Sequence, residues 1–164
     1  MIPVFESKLH WVSFKNEYLP LILHHQKELY SLNFHNMVFD QMFYANITGW
    51  YIEGIENQNC YSNLLFTSNQ QLVGFYLFQH NETTVYLMQM FVEKSFRKQG
   101  YGHYMLRHFE QKSKELEARS SFLHASKMNQ QAVSFYLQNG YVILDEEMDE
   151  PDFPRYFMFK NLER

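Results

Sequence analysis

The residues best suited to chemistry lie in one run, Phe91-Val92-Glu93-Lys94-Ser95-Phe96-Arg97-Lys98-Gln99-Gly100-Tyr101-Gly102-His103. A β-rich stretch ends there, a basic loop with glycines follows, and an amphipathic helix begins. Such a junction suits a phosphate. The first amides of a helix have no internal partner, and the aligned peptide dipoles add partial positive charge. Gly100 and Gly102 clear side chains from the path of an anion to the backbone. Arg97 and Lys98 add cationic charge. Neither GxxxxGK[ST] nor GxGxxG occurs, which excludes the Walker loop and the dinucleotide fingerprint. What remains is Arg97-x-x-Gly100-x-Gly102.

A second run follows one short strand later, Asn129-Gln130-Gln131-Ala132-Val133-Ser134-Phe135-Tyr136-Leu137-Gln138-Asn139-Gly140-Tyr141. In this order the two runs resemble the GNAT superfamily of acyl-CoA-dependent N-acetyltransferases, over about residues 62–162. The resemblance implies an α+β fold, a mixed, mostly antiparallel central sheet flanked by helices. It implies acetyl-CoA as co-substrate and no metal. The backbone of Phe91 and Val92 would pair with the pantetheine amides. The amides of Arg97, Lys98, Gln99, Gly100, Tyr101 and Gly102 would surround the pyrophosphate, with His103 opening the helix behind them. Asn129 would touch the pantetheine arm, and Tyr136 would sit by the thioester sulfur as the catalytic residue.

The implied reaction is direct attack of a neutral amine on the thioester, with both reactants held in one cleft. A backbone N–H near Phe91 would stabilise the oxyanion. Tyr136 would give a proton to the departing thiolate; the reference pKa values are about 10 for a phenol and about 8.5 for a thiol. Many relatives are thought to carry a Glu base on the central strand. Here that strand carries Gln89, which takes no proton at working pH. Glu93, Tyr86 and ordered water are the remaining choices, and the role stays unassigned. The alternative is a non-catalytic acyl-CoA-binding module. Asn129 and Tyr136 favour the enzyme, and Gln89 leans toward the module.

The run Asp145-Glu146-Glu147-Met148-Asp149-Glu150-Pro151-Asp152 carries six carboxylates. It is either a solvated hairpin tip or the border of a site for a cationic acceptor, a small-molecule amine or a basic peptide. The chain as a whole carries −4, yet residues 94–127 hold eight Lys/Arg against three acids. A basic segment in an acidic chain points to a local anionic ligand rather than to nucleic acid.

The elements that must position these groups follow from periodicity. Leu9–Phe14 reads as a strand and 16–30 as a helix, with Pro20 tolerable only in its first turn. Residues 33–57 read as one or two short helices. Tyr61–Thr67, Gln71–Gln79 and Thr83–Val92 read as strands joined by polar turns. In the third, Val85, Leu87, Gln89 and Phe91 share a face. A helix over Gly102–Ala118 has Met105, Phe109, Lys112 and Leu116 on its inner stripe. Ser121–Ser126 is a strand, Asn129 caps a helix through Gln138, and Gly140 ends it. Tyr141–Asp145 and Arg155–Lys160 are the last strands.

With 164 residues, 46% of them apolar, the chain is expected to form one domain over 1–164. Cys60 is the sole cysteine, which rules out an intrachain disulfide and fits a reducing, cytoplasmic setting. No run reaches the about 20 apolar residues of a membrane span. The histidines, His24, His25, His35, His103, His108 and His124 among them, lack metal-ligand spacing. Aromatic residues of the first third, Trp11, Phe34, Phe39, Phe43, Tyr44, Trp50 and Tyr51, are expected in the core, in the acceptor pocket or at a dimer contact. A monomer or a homodimer is expected.

Overall fold

A computed structural model describes residues 8–33, 49, 52–57, 59–149 and 153–163. The readings placed on Phe34, His35, Phe39, Phe43, Tyr44, Trp50, Tyr51, Glu150 and Asp152 fall outside these residues, as does most of the 33–57 segment; 52–56 is helical.

Strands β1 (Leu9–Ser13), β2 (Cys60–Thr67), β3 (Leu72–Asn81) and β4 (Thr84–Val92) form successive antiparallel neighbours. Helix α1 (Leu19–Asn33) follows β1, after a turn of 3-10 helix at Asn16–Tyr18. Pro20 occupies its first turn, where the missing N–H is harmless. Helix α2 (Tyr101–Glu115) leads from β4 to β5 (Ser120–Ser126), and α3 (Gln130–Gln138) leads on to β6 (Val142–Asp149) and β7 (Phe153–Asn161). The seven strands lie in the order β1-β2-β3-β4-β5-β7-β6. Only β4 and β5 pair in parallel, as a helical crossover demands. The expected α+β class and mostly antiparallel sheet are therefore found.

Three expectations change. On α2 the buried positions are Tyr101, Met105, Leu106, Phe109, Glu110 and Ser113. Lys112 lies off that face and pairs with Glu115 at 3.5 Å. The strand after Gly140 does not stop at Asp145 but carries its acidic residues on to Asp149.

The larger change concerns β4. Val85, Leu87, Gln89 and Phe91 are all buried, but they do not share a face. Leu77 pairs with Gln89 and Phe78 with Leu87, leaving Met88 without a partner. This bulge inserts one residue and turns the rest of the strand over. Before it, Val85 and Leu87 pack with Leu106 and Phe109 of α2. After it, Phe91 packs with Ile22 and Leu29 of α1, while Met90 and Val92 join Tyr101 and Met105. Fully burying a Leu or Phe stabilises by about 1.5–3 kcal/mol, so both layers hold the bulge in register.

On the α2 side, His108 stacks on Trp11 with centroids 3.8 Å apart. Its Nδ1 lies 2.8 Å from Tyr76 Oη, and that hydroxyl accepts from Asn63 Nδ2 at 2.9 Å. Burial, and secondarily the charge of Lys112, lower the His108 pKa from 6.5 to about 4. The unfolded chain then binds the extra proton first as pH falls. Stability from this group is full above about 6.5 and is lost toward about 4, with a slope of at most about 1.4 kcal/mol per pH unit. Urea melts of wild type and His108→Gln at pH 4.5 and 7.5 will show the smaller pH dependence in the variant.

Candidate active site

β4 and β5 pair only from Thr84 with Ser120 to Leu87 with Leu123. Past the bulge they separate, β4 toward the basic loop and β5 toward α3. A trench opens between them. Near the apex is a cavity of about 90 Å³ lined by Met88, Gln89, His124, Asn129 and Tyr136 among others. It continues into a space of about 240 Å³ walled by Met90, Val92, Ala132, Phe135 and Tyr136. Beyond Val92 and Phe135 lies an outer basin of about 440 Å³ bordered by Lys98, Gly100, Gly102, His103 and Arg107. Neighbouring compartments share lining residues, so the trench is continuous.

The outer basin is bordered by basic side chains. The chain reaches it through Lys94–Phe96, a 3-10 turn in which the Glu93 carboxylate accepts from Ser95 N–H at 2.8 Å. The hydrogen bond from the Ser95 hydroxyl, and secondarily that backbone bond, hold the Glu93 carboxyl below its usual range. Lys98 and Gly100 both take positive φ, 60° and 92°. A lysine in that region costs roughly 1–2 kcal/mol, a local strain of the kind found at binding loops. Gly102 is not left-handed. A Cβ there would come within 3.3 Å of Phe135, so its absence lets α2 seat against α3.

Arg97 also borders the basin, and its guanidinium is engaged there. Its Nη2 meets Glu28 of α1 at 2.7 Å, its Nε donates to the Val92 carbonyl at 2.7 Å, and it lies 5.4 Å over the Phe91 ring. It ties α1 to the end of β4. Lys98 remains exposed. Arg107, which the sequence reading missed, borders the basin one turn beyond His103 and pairs with Glu110 at 2.5 Å; that i, i+4 spacing was the available signal. His103 Nδ1 lies 2.7 Å from Asn139 Oδ1. Gln99 donates to the Ser95 carbonyl at 2.9 Å, and the Tyr101 side chain belongs to the core.

The phase of the β3–β4 pairing decides which peptide groups of β4 face the trench. Glu93 N–H donates to Val73 O at 2.7 Å. Read back through the register, Phe91 turns its N–H and C=O toward Phe75, while Met90 and Val92 turn theirs outward. The open-side amides are thus displaced by one residue from Phe91, and the Val92 carbonyl already accepts from Arg97.

Asn129 caps α3 by accepting from Ala132 N–H at 3.2 Å, and its Nδ2 donates to Asn33 Oδ1 of α1 at 2.9 Å. Its amide therefore stitches α1 to α3 across the trench wall. Tyr136 stands where the inner compartments meet. Its ring packs edge-on against Phe135 and Tyr141. Burial pushes its phenol pKa up, so it holds its proton at ordinary pH.

Gln89 faces α1, where its amide and that of Gln26 bond reciprocally at 2.8 and 3.2 Å. Gln26 is fully buried and Gln89 is 7% exposed. A Glu at 89 would be a buried carboxylate with half a partner. Gln89→Glu will lower stability by about 3 kcal/mol at pH 8. Burial raises such a carboxyl in the folded state, so the unfolded chain sheds the proton first and the deficit shrinks as pH falls. Thermal melts at pH 5 and pH 8 check the sign.

The seven described strands form one sheet that splits between β4 and β5, with a basic loop at the mouth of the split. Spermidine N-acetyltransferase from Vibrio cholerae, in a complex with CoA and spermine, matches at a TM-score of 0.76 with 14% identity, over 95% of this chain and 96% of that one. A dodecameric structure of the Vibrio cholerae enzyme in an intermediate state matches at 0.71 with 15% identity, over 95% of each chain. No curated protein is similar enough in sequence to match. Residues 23–141 match the Acetyltransferase (GNAT) family, and the chain belongs to that family. It is an acetyl-CoA-dependent N-acetyltransferase. Among the described residues no helix is long and apolar enough to cross a membrane, and no His/Cys/Asp/Glu group is placed to hold a metal.

Proposed function

We propose that the enzyme moves an acetyl group from acetyl-CoA to a primary amine of cationic character, by direct attack in a ternary complex. The observation that carries this reading is the continuous trench from Lys98 and Arg107 to Tyr136. Its outer basin suits the pyrophosphate, its apolar middle suits the pantetheine arm, and its inner end puts the thioester beside a protonated phenol. The open-side amides of Met90 and Val92 are the donors for pantetheine and for the oxyanion.

The acceptor reading rests on the acidic β6 strand. Lys127 pairs with Glu146 at 2.5 Å, and Arg155 and His124 pair with Glu147. Asp145 is exposed. Three carboxylates against Lys127 and Arg155 leave a small net negative charge, which favours a polycationic amine over a carboxylic one. The complex of the Vibrio cholerae enzyme with spermine agrees with that charge preference.

Calorimetry with CoA, followed by thiol release from acetyl-CoA over a panel of amines at two ionic strengths, tests the proposal. The expected result is saturable CoA binding and fastest turnover with spermidine or spermine, falling as salt rises. Preference for neutral or acidic amines would overturn the acceptor class.

A further inference from the structure

Four side chains from four strands meet where the sheet divides. His124 is the first β5 residue past the last paired position, Leu123. Its Nδ1 lies 2.5 Å from Tyr86 Oη of β4, and its Nε2 lies 3.0 Å from Glu147 Oε1 of β6. The same Glu147 oxygen accepts from Arg155 of β7, at 3.2 Å from Nε and 3.1 Å from Nη2. Glu147, as carboxylate, can only accept at Nε2, so Nε2 carries the hydrogen and Nδ1 offers a lone pair. Tyr86 therefore donates its phenolic hydrogen to Nδ1. The imidazole ring also walls the inner cavity that Tyr136 lines. Tyr30 of α1 and Tyr136 of α3 are the other titratable groups among the described residues that line that cavity.

An amine acceptor arrives as an ammonium, and something must take its proton before nitrogen can attack. Gln89 cannot. We propose that the Tyr86–His124 pair, oriented by Glu147 and Arg155, is the base; this rests on the N-acetyltransferase reading above. An ammonium N–H breaks as Tyr86 Oη takes the proton, and the phenol's own proton passes to His124 Nδ1. The imidazolium so formed is stabilised by the Glu147 carboxylate. The neutral nitrogen then forms its bond to the acetyl carbon, the carbon–sulfur bond breaks, and sulfur takes the Tyr136 proton. The second proton shed by nitrogen restores Tyr136. His124 returns its proton to water, so one proton is released per turnover. Arrangements of this kind, with a carboxylate fixing the tautomer and the opposite ring nitrogen acting as base, recur in unrelated enzymes.

Steady-state rates with acetyl-CoA and spermidine, from pH 6.5 to pH 10, test the proposal. The enzymes compared are wild type, His124→Gln, Tyr86→Phe and Glu147→Gln, each checked by thermal melt and by CoA calorimetry. At pH 7 the first two variants will lose about 100-fold in kcat, the lower end of the usual range for a positioned base. Glu147→Gln will lose less. All three will bind CoA as wild type does. The deficits will shrink to a few-fold near pH 10, where water neutralises the amine, and at pH 7 with a weakly basic acceptor such as aminoacetonitrile. A folded His124→Gln variant with wild-type rate at pH 7, or with the same loss at every pH and with both acceptors, overturns the relay and leaves a structural ion-pair cluster. Wild type that binds CoA but acetylates no amine would overturn the transferase reading itself, and the relay with it.

Discussion

Tyr136→Phe will lower kcat about 100-fold while CoA affinity stays within about twofold of wild type. The phenol lines both inner compartments of the trench, and its hydroxyl has no hydrogen-bond partner among the described residues. Nothing in the fold depends on that oxygen; the ring, packed on Phe135 and Tyr141, is kept by Phe. What the variant loses is the proton for the leaving sulfur. A thiolate departing beside apolar walls is costly, and one positioned acid is worth about 10²–10⁴-fold. The lower bound applies because a phenol is a weak acid and burial weakens it further. The same burial keeps Tyr136 from setting the alkaline limb of the rate profile below about pH 10. Stopped-flow thiol release beside CoA calorimetry separates the effects. Equal losses in kcat and in CoA binding would mean that the hydroxyl holds the co-substrate instead.

Much of this site was legible in the sequence because local rules govern it. The loop after β4 had to be glycine-bearing and basic, and Asn129 had to cap, because helix ends leave amides unpaired. The element order and the antiparallel bias followed from alternation and turn chemistry. What could not be read was anything set by pairing across strands. The bulge at Met88 depends on how β3 meets β4, and a strict period of two cannot show it. That one residue decides which β4 amides face the trench and sends Gln89 to Gln26. The same holds for Arg97, whose partner Glu28 is 69 positions away, and for His124, whose partners come from two other strands. A histidine flanked by Leu123 and Ala125 reads as half-buried packing until Tyr86 and Glu147 are placed around it.

Gly74→Ala will destabilise the enzyme by about 3 kcal/mol and impair CoA binding together with stability. Gly74 lies on β3 opposite Val92. A Cβ at this position would stand 2.2 Å from the Phe91 carbonyl oxygen and 2.9 Å from both Sδ and Cε of Met105. The methionine end can swing aside, but the carbonyl belongs to the backbone of β4 and cannot move alone. Overpacking usually costs about 1–3 kcal/mol, and a backbone clash falls at the upper end. For a chain of this size that is a fall of about 6–12 °C in Tm. The strand displaced is the one whose Met90 and Val92 amides face the trench and whose Val92 carbonyl anchors Arg97. Stability and cofactor affinity should therefore fall together, whereas Leu106→Ala, in the core layer on the other side of the bulge, should cost comparable stability with CoA affinity kept in the folded fraction. Thermal melts with and without CoA measure both quantities. A Gly74→Ala enzyme with wild-type CoA affinity would show that β4 can shift without disturbing the trench, and the link from the β3 backbone to the acyl carrier would be lost.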